Sequence, residues 1–323
     1  MDAYLRLIRY KNLLIVAATQ YLMRFAIVEP LLAVNGFELQ LGGFQFFLLV
    51  LATVMITAAG YVINDYFDTR TDMLNRPGTV VVGRYIPRRT AIILHWVLNF
   101  TGAATGFYLA FHIGIPLLGF VFIIVAGLLW FYSTTYNRRF LIGNLMIATL
   151  TAMVPVMVVI FEIPLLSRQY SEIPGFYHPG FSHIFAWVGS FGYFAFMTTL
   201  IRELVKDIED YGGDTEQGRR SVPIVLGTGN TKIIIGALIF MVIASLAFLY
   251  YVYIRVGFSG NIDYLSLLWF LLFLFLPLLL LLYKVIRAKT REDYTYANRL
   301  AKIIMLTGLL YSLLVRYIVL KGF

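Results

Sequence analysis

Nine stretches of this chain stay apolar for about twenty residues, the length that crosses a bilayer as a helix. They are Leu13–Val34, Gly43–Ile63, Thr90–Phe111, Gly114–Ser133, Ile142–Ile163, His183–Leu204, Thr231–Tyr253, Tyr264–Tyr283 and Ala301–Leu320. Hydrophobic residues run continuously within each stretch instead of alternating with polar ones, which predicts helices and argues against a barrel. The polar connections are short. Even the two longest, Asn64–Arg89 and Arg202–Asn230, are too brief to fold alone. The pattern therefore predicts an all-α polytopic membrane protein. It would be a single domain over residues 1–323, with about nine helices bundled around a central cavity that has polar and apolar parts.

Composition agrees. Only 13% of residues are charged and 60% are hydrophobic, with a mean hydropathy of +0.81, against about 25% charged in soluble domains. The absence of cysteine excludes disulfides, thiolate metal sites and cysteine nucleophiles. A net charge of +9 would suit a nucleic-acid partner, but its placement points elsewhere. Lys and Arg concentrate in alternate connections: Arg6 to Lys11, Arg70 to Arg89, Arg138 and Arg139, Arg202 to Lys232, and Lys284 to Lys302. The positive-inside rule then puts the N-terminus and these connections in the cytoplasm of a multi-pass cell-membrane protein, and with nine spans the C-terminus outside. Arg6, Arg9 and Lys11 lead into a first apolar segment too long for a cleavable signal peptide. The partners expected are the bilayer and membrane-borne substrates, with no nucleic acid.

Candidate chemistry lies on the predicted cytoplasmic side. Asn64, Asp68 and Asp72 are four residues apart, so on a helix they share a face, and Asp65 joins them from one turn below. Acids this crowded resist desolvation unless a cation sits among them. Asp207, Asp210 and Asp214 repeat the spacing of Asp65, Asp68 and Asp72. Carboxylates without cysteine or clustered histidine favour a hard cation, magnesium or calcium, over zinc. Two such clusters facing each other would suit magnesium ions gripping a polyphosphate. Arg76, Lys206, Arg219 and Arg220 adjoin the clusters, and Arg138 and Arg139 lie in the intervening connection, all candidates for phosphate oxygens. A diphosphate met inside a membrane suggests an allylic prenyl diphosphate, whose carbocation would need a dry pocket with aromatic faces. Tyr61, Tyr66, Phe67, Tyr132 and Tyr136 are the nearest in sequence to such a site.

These residues resemble a known family. N-D-Y-F-D-x3-D followed by Asn75-Arg76-Pro77, and K-D-I-E-D-x3-D followed by Gly218 to Ile224, are similar to the paired motifs of the UbiA superfamily of intramembrane prenyltransferases. Leu7–Asn12, Tyr132-Ser133 and Gly143-Asn144 match as well, so the resemblance covers nearly the whole chain. It implies nine helices and magnesium-dependent prenyl transfer. Asn64, Asp68, Asp72, Asp210 and Asp214 would bind the magnesium diphosphate, with Asp65 and Asp207 as adjuncts. The run Arg202–Asp210 is most similar to the archaeal branch that alkylates geranylgeranylglyceryl phosphate; quinone and chlorophyll branches share much of the pattern. Where the family usually has a Lys-Arg pair after the fourth helix, this chain has Asn137-Arg138-Arg139.

Blander readings stand beside these. Positive-inside topology alone accounts for Arg138, Arg139, Arg219 and Arg220, and the run Lys284–Arg291 reads as a headgroup-facing loop. Arg24 and Glu29, inside the first span, read as a structural pair or as side chains snorkelling outward. The four histidines lack metal-ligand spacing, and Pro164–Ser182 reads as an aromatic interfacial loop. A transporter or channel would also cluster acids in a membrane, but near its midplane and not where spans end. CDP-alcohol phosphotransferases carry a D-G-x2-A-R motif that is missing here, and soluble prenyl synthases have no spans.

Overall fold

The computed structural model describes residues 2–75, 78, 80–170, 181–255 and 262–321. Among them are nine helices long and apolar enough to cross a membrane: α1 Tyr10–Val34, α2 Gly43–Leu74, α3 Arg88–His112, α4 Pro116–Thr134, α5 Ile142–Tyr170, α6 Ser182–Glu209, α7 Thr228–Ile254, α8 Tyr264–Arg287 and α9 Arg291–Lys321. The only β pairing among these residues is an isolated bridge between Val82 and Ile86. Every helix is longer than about twenty residues or close to it, so each can satisfy its own backbone across the hydrocarbon. Lipid-facing sides carry large apolar residues; Phe240 on α7 is 72% exposed.

Successive helices pack side by side: α2 lies on α3, α5 on α6, and α6 also meets α7 and α9. The first helix touches α2, α5, α6 and α9. Phe46, Phe161 and Phe270 are among the largest fully buried side chains of this core.

Three helices widen locally into π turns, Met23–Val28 in α1, Tyr250–Ile254 in α7 and Phe270–Phe275 in α8. The first and third lead into prolines, Pro30 and Pro277. A proline has no N–H and its ring crowds the carbonyl four residues back, so the ladder opens there. Side chains of α9 take up carbonyls in both openings. Thr307 Oγ1 donates to the Phe273 carbonyl at 3.0 Å, and Arg316 donates to the Phe25 carbonyl.

Several sequence expectations change. The second apolar run ends at Ile63, whereas α2 continues to the end of the first aspartate motif and gives Asn64, Asp68 and Asp72 the helical register that their spacing implies. The fifth continues through Pro164 to Tyr170, which makes the first part of the expected interfacial loop helical. Tyr170 anchors the far end by accepting from the Glu38 N–H at 3.2 Å. Arg76 and His178 lie outside the described residues.

Arg24 and Glu29 do not form an ion pair with each other; each answers a charge on a different helix. Arg24 reaches Glu162 of α5 at 3.6 Å, and Glu29 pairs with Arg316 of α9 at 2.8 Å.

Candidate active site

Both aspartate motifs lie at the same end of the bundle, on different backbones. The first stands on one unbroken helix. Asn64 Nδ2 donates to Asp68 across one turn at 2.6 Å, as the four-residue spacing requires. The second is broken: α6 ends at Glu209, Asp210 leaves helical geometry, and a short helix, Tyr211–Glu216, carries Asp214. Equal spacing in sequence therefore produces unequal geometry. Gly218, with φ of 66°, then turns the chain back after the short helix, in a conformation that suits a residue without Cβ.

That turn brings Arg219 between the two motifs. Its guanidinium donates to Asp68 and, at 3.2 Å, to the Thr71 hydroxyl, while its Nε lies 3.8 Å from Asp214. Thr71 in turn donates to Gln217 at 3.2 Å, fastening the turn to α2. Asp68 and Asp214 hold the guanidinium pKa above its ordinary value despite burial, which acts the other way. Burial pushes the Asp214 carboxyl up to about 6; Arg219 opposes that rise and Asp210 adds to it.

Other aspartates have separate partners. Asp65 accepts from Arg9 at 2.7 Å, and the Arg9 guanidinium also lies 5.0 Å from the Tyr61 ring centre. Arg9 adopts φ 52°, a conformation costly without glycine, at the break between a short helix, Asp2–Leu7, and α1. The break lets Leu7 bury against Val62, Val81, Val82, Ile86 and Ala91. Asp207 accepts from Asn144 Nδ2 of α5 at 2.9 Å. Asp210 lies 3.6 Å from Arg291 at the start of α9, so one residue of the expected headgroup-facing run instead faces the second motif. Lys206 is central, its charge acting on Asp65, Asp72, Asp207 and Asp214 alike.

Arg138, Arg139 and Arg220 are exposed. The nearby contact comes instead from Asn137, whose amide reaches both oxygens of Asp68 at 3.3 and 3.5 Å. The Arg138 carbonyl accepts from the Arg220 N–H at 3.0 Å, joining the two connections through their backbones. Gly143 makes this possible. A Cβ there would stand 2.7 Å from the Tyr136 carbonyl oxygen and 3.0 Å from the Asn137 Cα. The Gly143-Asn144 pair thus has two tasks, close passage of the 136–137 backbone and a donor for Asp207. Sequence reasoning found the pair but not the tasks, and it did not single out Arg9, Thr71 or Asn137 as site residues. Tyr132 lies within electrostatic reach of Asp68, Asp207 and Glu203. Phe67 stands edge-on to Trp130 with 5.9 Å between ring centres.

Among the described residues, no three His, Asp or Glu side chains converge closely enough to cage a metal by themselves. The donor set nevertheless fits magnesium, which usually takes one or two carboxylates and completes its shell with water and substrate phosphate. The donors are oxygens, and no thiolate competes.

The chain is 31% identical over 248 residues to the digeranylgeranylglyceryl phosphate synthase of Methanothermobacter thermautotrophicus, covering 76% of this chain and 74% of that protein. It is 29% identical to the enzyme of the same name from Saccharolobus solfataricus, covering 97% and 96% respectively. Among solved structures, one from a study of digeranylgeranylglyceryl phosphate synthase in membranes superposes with a TM-score of 0.64 at 21% identity, over 98% of both chains. A UbiA homologue from Archaeoglobus fulgidus, bound to GPP and Mg²⁺, superposes with a TM-score of 0.55 at 15% identity over 96% of this chain and 99% of that one. Residues 16–313 match the UbiA prenyltransferase family, and with that match spanning nine helices and both aspartate motifs, the chain is a member of that family and a membrane prenyltransferase.

Proposed function

We propose that this prenyltransferase moves a geranylgeranyl group from its diphosphate to the free hydroxyl of geranylgeranylglyceryl phosphate, at the end of the bundle that carries both aspartate motifs. The observation that carries the reading is the guanidinium of Arg219, which Asp68 and Asp214 share from opposite motifs. Carboxylates this near one another need a cation between them, and a metal-bound diphosphate meets that need with substrate. The names of the two archaeal relatives support the acceptor, and the GPP and Mg²⁺ of the Archaeoglobus homologue support the donor and metal. The clustering of Lys and Arg at the motif end supports a cytoplasmic active site, with the N-terminus inside and the C-terminus outside.

Asp68, Asp72, Asp210 and Asp214 would hold magnesium, with Asn64 beside Asp68. Once bound, magnesium supplies charge neutralisation for the departing diphosphate. Lys206, lying between the motifs, and Arg219 would add donors for its oxygens. The allylic C–O bond breaks with its electron pair leaving on diphosphate. The acceptor oxygen forms the new C–O bond, and its proton passes to the released diphosphate. Tyr132 and Phe67 offer ring faces to the developing allylic cation.

The test is direct. Purified protein in lipid, given Mg²⁺, geranylgeranyl diphosphate and geranylgeranylglyceryl phosphate, should yield the doubly alkylated phosphoglycerol by mass spectrometry, and EDTA should stop it. Turnover with 4-hydroxybenzoate or a naphthoate but none with the phosphoglycerol would overturn the acceptor.

Asn144→Ala should lower initial rates about ten- to a hundredfold, the range for losing a group that orients a site carboxylate. Asp207 would lose its 2.9 Å amide donor while the fold, followed by gel filtration, stays intact. Unchanged rates would remove Asp207 from the site.

A further inference from the structure

Two carboxylates from separate elements, drawn together away from water, repel unless something positive lies between them. In this protein that charge is built in. The Arg219 side chain is only 12% exposed, donates to Asp68, and places its Nε 3.8 Å from Asp214. The placement is imperfect. The Nε–H is buried and finds no hydrogen-bond partner, so the contact to Asp214 is one of charge alone. The backbone of the turn, by contrast, is tied down. The Arg219 N–H donates to the Asp214 carbonyl and the Arg220 N–H to the Arg138 carbonyl, each at 3.0 Å. The guanidinium can therefore leave by rotation of its own side chain, with the turn left in place. The donors that remain on Asp68, the amides of Asn64 and Asn137, bring no charge of their own.

We propose that Arg219 is a resident cation of the substrate-free protein, joining the two aspartate motifs and competing with divalent metal for Asp68 and Asp214 until it is displaced onto the incoming diphosphate. This rests on the metal-diphosphate reading above and adds an order of events to it. Bare metal meets an occupied pair of carboxylates, whereas metal arriving with diphosphate offers the guanidinium a new anion in exchange. Arg219 is thus a positioning residue in the free protein and a diphosphate contact in the loaded one. Lysine would serve poorly, because a compact ammonium cannot present the fork that reaches Asp68, Thr71 and Asp214 together.

The inference separates two affinities that a merely structural arginine would move together. Mn²⁺ binding to the substrate-free protein is measured by electron paramagnetic resonance, and pyrophosphate binding at saturating Mn²⁺ by calorimetry. With Arg219→Gln, Mn²⁺ alone should bind about tenfold more tightly, since a charge-assisted competitor is gone, and pyrophosphate about tenfold more weakly. Arg219→Lys should shift both in the same opposed directions by less, and it carries the test if the glutamine variant does not fold. Weaker or unchanged Mn²⁺ binding in the folded variant overturns the proposal. An Asp68→Asn control keeps the two readings apart. If Mn²⁺ binds the parent protein and Asp68→Asn abolishes that binding, the metal site stands whatever Arg219 does. If Mn²⁺ in the presence of pyrophosphate binds no better to the parent than to Asp68→Asn, the metal reading itself fails.

Discussion

Replacing Asp68 with alanine should lower prenyl transfer by at least about a hundredfold, the equivalent of roughly 3 kcal/mol of transition-state stabilisation lost with a metal ligand. Asp68 is where the site's elements meet. It accepts from Asn64 of its own helix, from Asn137 of the connection after α4, and from Arg219 of the turn after the second motif. Its loss would remove a proposed metal ligand and leave Arg219 with Asp214 as its remaining carboxylate neighbour. Asp68→Asn keeps the size of the side chain but not its charge. It should be nearly as inactive, which separates charge from packing. The helix itself should survive, because Asp68 is partly exposed near the end of α2 and carries none of the core. The measurement is turnover with labelled geranylgeranyl diphosphate beside a thermal unfolding midpoint in detergent. Asp68→Ala protein keeping more than about a third of parental turnover would take Asp68 out of the chemistry.

The second large effect lies at the opposite end of the bundle and concerns stability. Arg24→Ala should cost about 3 kcal/mol or more, the penalty for stranding a buried charge. Arg24 is 4% exposed and Glu162 fully buried. The arginine also donates to the Leu41 carbonyl and lies 4.5 Å from the Phe46 ring centre. Glu162 accepts from the backbone N–H groups of Gln40 and Leu41 at 2.5 and 3.2 Å. The pair therefore ties α1, α5 and the α1–α2 connection together inside the apolar far end, where an unpaired carboxylate is costly. Detergent melting should show the midpoint fall by roughly 5 °C or more. Arg24→Met combined with Glu162→Gln should recover most of it, since the glutamine oxygen still accepts from the two backbone donors. A double variant no more stable than Arg24→Ala alone would show that the charge pair is not the cause. Turnover measured well below the midpoint should stay near that of the parent protein, because neither residue lies at the motif end.

The gain from a tertiary view is uneven along the chain. The apolar runs predicted every helix that crosses the membrane, because a span must be apolar for its full length and that requirement is written locally. Helix ends were less legible. The apolar run stops at Ile63, yet α2 continues through the first aspartate motif, since a helix that leaves the apolar layer loses no backbone hydrogen bonds by going on. The break after Glu209 is equally hidden: Asp210 and Asp214 share their spacing with Asp68 and Asp72, yet Asp210 leaves helical geometry and Asp214 stands on a separate short helix.

Among site residues the division is sharper. The aspartates were evident as a crowded set of one charge sign within a few helical turns, with the Asn64 amide on the same face, which is a local property. Which cation answers them is not local. Arg219 and Arg220 are neighbours of one type, yet one is drawn between the motifs and the other is exposed. Asn137 reaches Asp68 while Arg138 and Arg139 do not, because Gly143 lets the backbone before them pass close. The sequence alone determined a membrane helix bundle with two acidic clusters on one face and the family they belong to. The tertiary structure decided which arginine joins the clusters, which asparagines hold them, and with which distant residues Arg24 and Glu29 pair. Those choices depend on helices brought together from across the chain, and no spacing along one helix can encode them.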